Sequence, residues 1–147
     1  MRKSIVVLAA LLAACSGTLA PVTIEKGTPC AFCRMTISDP RLAAEVIAPG
    51  EEPRVYDDIG CLANDLRQRP APADARAFVA DFGTGALLPA ESAVYTRVES
   101  VSTPMSSHLV AHATMGERDG DARVRGGTPV SGADVFGGTL PGGADGK

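Results

Sequence analysis

Apolar residues along this chain fall into short groups whose spacing changes from one group to the next. Residues 43–48 and Arg54-Val55-Tyr56 read as two short strands, separated by the turn signal Pro49-Gly50. A helix is predicted to follow. Asp57 or Asp58 supplies its cap, and Ile59, Leu62, Ala63 and Leu66 repeat at the i, i+3, i+4, i+7 spacing of one apolar face. Pro70 disfavours helix in the residue before it, so the helix should stop near Arg69. Pro70 and Pro72 mark a boundary between two halves near residues 68–76. Beyond it, residues 77–82 read as a strand ending at Gly83-Thr84-Gly85, residues 89–93 as a helical turn, and residues 94–98 and 108–115 as further strands. From Gly116 the composition shifts to Gly, Asp and Arg. Residues 137–147 include five glycines and little to bury, which predicts a disordered tail after Val135-Phe136.

The N-terminus follows a different logic. Met1-Arg2-Lys3 places positive charge before an apolar run, Ile5 to Ala14, that is too short to span a membrane and ends Leu12-Ala13-Ala14-Cys15. This resembles a bacterial lipobox, in which Cys15 is acylated and becomes the first mature residue. Residues 1–14 then form the lipoprotein signal, residues 15–27 a tether, and the lipid an anchor on the membrane surface. Residues 28–136 form the domain.

The formal charge is −3, with an isoelectric point near 5.3, and removal of Arg2 and Lys3 makes the mature chain more acidic. No basic patch emerges to neutralise phosphates, which argues against nucleic acid as a partner. No carboxylate pair or base-activated nucleophile emerges either, so a carrier is expected rather than an enzyme.

The chemistry is concentrated in sulfur. Setting Cys15 aside, an odd number of thiols remains: Cys30, Cys33 and Cys61. Cys30-Ala31-Phe32-Cys33-Arg34-Met35 places two thiols and a thioether in six residues, and soft thiolate and thioether donors together select Cu(I). Zinc sites use Cys, His and carboxylate, so Met35 separates copper from zinc. Cys61 lies in the first turn of the predicted helix, where backbone N–H groups favour a thiolate while Asp57 and Asp58 oppose one. His108 and His112 alternate with apolar residues as in a strand, which puts them about 13 Å apart and too far for one ion. They are expected to be a half-exposed pair without a metal.

Three motifs carry a resemblance. Thr28-Pro29-Cys30-Ala31-Phe32-Cys33-Arg34-Met35, Val55-Tyr56-Asp57-Asp58-Ile59-Gly60-Cys61-Leu62 and Thr103-Pro104-Met105, in that order, resemble the NosL family of lipoproteins, which deliver copper for assembly of nitrous-oxide reductase. The resemblance covers roughly residues 15–136. It implies an α+β fold of two small ββαβ units, distantly similar to organomercurial lyase, and a membrane-anchored Cu(I) chaperone facing the periplasm. Carried over by position, it implies Cys30, Cys33, Met35, Cys61 and Met105 as metal ligands. Arg34 stands where the family usually has Gly, and Ser106-Ser107 replaces a Gly-containing stretch.

The leading expectation is therefore a carrier that passes one Cu(I) to a copper-accepting apoenzyme, nitrous-oxide reductase or its assembly machinery. Two alternatives remain from other classes. One is a periplasmic thiol–disulfide protein using Cys30 and Cys33; the other is a structural zinc protein.

Overall fold

The computed structural model describes residues 19–141. The predicted signal, Cys15 and residues 142–147 lie outside the described residues. Within them, two antiparallel sheets and three α-helices form an α+β fold.

The first sheet has the order β2-β1-β3-β4, built from β1 (Ala44–Ile47), β2 (Arg54–Tyr56), β3 (Arg76–Ala80) and β4 (Leu87–Pro89). Helix α1 (Ile59–Gln68) connects β2 to β3. Its start and stop follow the residue chemistry: the Asp58 side chain accepts from Gly60 N–H, and Arg69 ends the helix just before Pro70. The second sheet has the order β6-β5-β7, from β5 (Val94–Arg97), β6 (Leu109–His112) and β7 (Thr128–Val130), with α2 (Met115–Gly120) between β6 and β7. Helix α3 (Gly132–Phe136) follows.

These are two copies of one ββαβ unit. In each, the first strand is central and pairs antiparallel with the second and the third. Glu45 lies opposite Val55 and Phe78, as Tyr95 lies opposite Ala111 and Val130. The equivalence extends to the hairpin that precedes each unit. Pro29 bridges Thr36 around the turn of residues 30–35, and Ala80 pairs with Leu87 around the turn of residues 81–86. Each turn then bonds to the second strand of its own unit, Ala31 N–H to Val55 O at 2.7 Å and Phe82 N–H to Ala111 O at 2.8 Å. The turn of residues 81–86 thus belongs to the first sheet yet docks on the second, and fastens the two units together.

The main core runs between them. Val46, Tyr56, Leu62 and Val79 of the first unit meet Tyr95, Ala111 and Phe136, with Cys30 and Cys61 in the same cluster. Buried Asp65 ties α1 to the strand beside it, accepting from the Tyr56 hydroxyl at 2.6 Å and from Arg54 at 2.8 Å.

Several expectations differ from the structure. Residues 87–89 form an edge strand that takes in Pro89, tolerated there because an edge strand leaves one side of its ladder unpaired, and the turn predicted over 89–93 is confined to residues 90–92, closed by Ser92 N–H to Pro89 O at 3.1 Å. The predicted strand over 108–115 stops at His112, because Thr114 and Glu117 form a capping box that starts α2. A second box, Ser131 with Asp134, starts α3, so the Gly-, Asp- and Arg-rich stretch is folded. Contact with the core extends past Phe136, since Leu140 packs against it after Gly137 closes α3 in the left-handed conformation. The end of the expected tether is also docked: Ile24 is buried with Ile37 and Ala43, and Val22 N–H donates to Glu45 at 2.9 Å. No helix among the described residues is long and apolar enough to cross a membrane.

Candidate metal centre

The turn of residues 30–35 closes through Cys30 N–H to Met35 O at 2.8 Å and Arg34 N–H to Cys30 O at 3.1 Å. Closing it requires Arg34 at φ +68°, a left-handed conformation that favours Gly. The equivalent turn has Asp81 N–H to Ala86 O at 2.7 Å, Gly85 N–H to Asp81 O at 2.7 Å, and Gly85 itself at φ +78°. The Gly of the resembled family at Arg34 therefore has a backbone reason, and this chain places Arg in the strained position.

The bond from Ala31 to Val55 sets the turn beside the end of β2, where Asp57 follows. Cys61 comes from the first turn of α1, with its N–H bonded to Asp58 O at 3.0 Å. These local rules bring Cys30, Cys33, Asp57 and Cys61 together, with one ligand atom of each lying within 4.8 Å of all the others. Cys30, Asp57 and Cys61 are buried, and Cys33 is half-buried. The Cys33 thiol donates to Asp57 at 3.4 Å. Such a set matches a metal centre supplying three sulfurs and a carboxylate.

Cys33 and Cys61 both hold their protons more tightly than ordinary thiols. Burial pushes Cys33 up to about 11, with the Met35 N–H working against it and Cys30 and Asp57 adding to it. Burial also raises Cys61 well above the ordinary thiol range, reinforced by its hydrogen bond to Asp57 and by the neighbouring cysteines. At Cys61 the helix N-terminus and the acidic neighbours pull in opposite directions, and burial together with Asp57 prevails.

The thioethers lie at the rim. Met35 is 45% exposed and lines a groove of about 530 Å³ together with Asp57, Leu42, Ser102, Thr103 and Ser106. Met105 is 41% exposed and lines a different cavity, with Gly60, Ala63 and Asn64. Its backbone N–H donates to Asp58 Oδ2 at 3.1 Å, so Asp58 caps α1 with one oxygen and holds the Thr103-Pro104-Met105 loop with the other. Gly60 permits that approach: a Cβ there would lie 2.7 Å from the Ser107 Cβ.

The histidines take separate structural roles. His112 is fully buried rather than half-exposed, with Nε2 3.2 Å from Asp121, because α2 and the residues after it cover β6. His108 precedes the strand, with Nδ1 2.9 Å from Val101 O.

Asp57 is the member of the cluster not expected among the ligands; the sequence marks it as an alternative helix cap, a role Asp58 takes, and as a charge opposing the Cys61 thiolate. Its signal was its place one residue before the helix cap, on the segment that meets the cysteine turn. Comparison with family models, with characterised proteins and with solved structures gives no match.

Proposed function

We propose that this protein is a lipid-anchored Cu(I) carrier that faces the periplasm and supplies copper for the maturation of nitrous-oxide reductase. The observation that carries the metal-binding part is the convergence of Cys30, Cys33, Cys61 and Asp57 within 4.8 Å. Copper is favoured over other ions by donor type, since three thiolates satisfy Cu(I) and the thioether of Met35 lies in the same turn. The anchor rests on the lipobox-like run ending at Cys15, and the client on the three NosL-like motifs. Burial keeps Cys33 protonated and so a poor nucleophile, which weakens the thiol–disulfide alternative. A carrier role needs only capture and release, and Cu(I) is cargo, held without turnover.

Asp57 favours one competing reading, a zinc centre of three cysteines and a carboxylate. The two separate on Asp57→Asn. A Cu(I) carrier does not need the carboxylate as a donor, and removing its charge eases thiol ionisation, so Cu(I) affinity at neutral pH is expected to hold or rise. Met35→Leu should lower Cu(I) affinity. Anaerobic titration of the reduced protein with Cu(I) against a competing chelator, and in parallel with Zn²⁺, measures both. Loss of tight Zn²⁺ binding in Asp57→Asn, with no competitive Cu(I) binding by the parent protein, would establish zinc and overturn the copper carrier.

A further inference from the structure

We infer that metal enters and leaves this centre from one side only, through the groove beside Met35. On this path Cys33 is the ligand that exchanges, while Cys30 and Cys61 stay attached. The inference rests on the carrier reading above and adds a direction to it.

Three observations define the inner side. Cys30 and Cys61 have no solvent exposure and belong to the main core with Tyr56, Ile59 and Leu62, so apolar packing closes the centre behind them. Cys30 is also the residue whose place in the repeated turn is taken by Asp81. There one carboxylate oxygen accepts from Gly83 N–H at 2.9 Å and Thr84 N–H at 2.8 Å, and the other from Ala113 N–H at 3.0 Å. The second unit thus shows an anionic side chain fixed in place at the turn position that Cys30 occupies in the first. Cys61 is held by the helix backbone from which it projects.

The outer side is different. Cys33 alone of the three is half-buried, and it bonds to Asp57, which lines the groove. Met35 stands in the same groove with its thioether exposed. An incoming donor of the acceptor protein, a thiolate, thioether or imidazole, reaches the metal along this face. The new copper–donor bond forms as the bond from copper to the Cys33 sulfur breaks. Copper stays in the +1 state throughout, and the released Cys33 thiolate takes a proton from water.

The test measures the transfer of Cu(I) from the fully loaded protein to bicinchoninate by stopped-flow absorbance. Ser102→Trp places bulk in the groove, and Asn64→Trp places it in the separate cavity beside Met105. Ser102→Trp is expected to slow transfer by about tenfold or more at unchanged equilibrium affinity, because the effect is on the rate of approach alone. Asn64→Trp should leave the rate alone. Each Ser variant leaves two thiolates, and the loss of Cu(I) affinity should be larger in Cys30→Ser, which removes a ligand that stays attached, than in Cys33→Ser. Normal loading with transfer slowed by Asn64→Trp and not by Ser102→Trp would overturn the route. Equal losses in Cys33→Ser and Cys30→Ser would overturn the assignment of the exchanging ligand. Failure of the parent protein to load Cu(I) would instead overturn the carrier reading, and the inference with it.

Discussion

Cys30 and Asp81 occupy the same position in two copies of one turn: each donates its N–H five residues ahead, to Met35 O and Ala86 O, at 2.8 and 2.7 Å. In the second copy, Thr84 stands where Cys33 does and Glu117 where Cys61 does, at the third position of the unit's helix. One backbone frame thus carries a cluster of thiols and a carboxylate that could hold a metal ion in the first unit and a carboxylate clamp in the second.

The clamp predicts a stability effect at Asp81. Burial raises its pKa, but the bonds from Thr84, Ala113 and Gly83 outweigh that and hold it below the usual carboxylate range. A depressed folded-state pKa adds stability above the unfolded value and loses it as pH falls through the folded one. Asp81→Asn turns an amide donor toward one of these N–H groups and should cost about 2 kcal/mol at neutral pH. In urea denaturation its deficit should shrink below about pH 4.

Arg34 at φ +68° should be improvable. A non-glycine residue in the left-handed region costs roughly 1–2 kcal/mol, partly offset by the larger unfolded-state entropy of Gly. Arg34→Gly is expected to raise stability by about 1 kcal/mol without loss of metal affinity, and Gly85→Ala to lower stability by a similar amount. Thermal unfolding of the two variants checks this.

Metal binding should release protons. Cys33 and Cys61 both have raised pKa values, so the metal-free centre carries protons that thiolate coordination must displace. Apparent Cu(I) affinity should rise with pH from 6 to 9, by about tenfold per unit for each proton released. A pH-independent affinity would mean that the thiols are already ionised.

Glu45 has no solvent exposure, and its Oε2 has no hydrogen-bond partner among the described residues. Burial pushes its pKa up to about 7, against the one N–H from Val22. The native state then holds this proton over a range in which the unfolded chain has lost it. Stability should fall as pH rises from about 4.5 to 7, by an amount of order 3 kcal/mol. Glu45→Gln should abolish that fall while keeping the bond from Val22, as chemical denaturation across this range would show.

The sequence by itself determined what is local. β1, β2, α1 with a cap at Asp57 or Asp58, β3 and β5 follow from periodicity and from capping and breaking residues, which act within a few positions. The pairing of Cys30 and Cys33 with a nearby thioether was legible for the same reason. Short elements stabilised mainly by capping boxes, such as α2 and α3, left too few apolar residues to form a period. Tertiary structure decided the rest. Glu45 alternates with apolar neighbours as a solvent-facing strand residue would, yet it is buried, with the returning N-terminal segment bonded to it through Val22. Asp57 and Cys61 reach the cysteine turn because Ala31 bonds to Val55, a contact between segments distant in sequence. Ionisation at Cys61 was likewise set by how deeply the folded chain buries it. Composition carries the donors, but only the fold supplies the distances and the dielectric that make them a site.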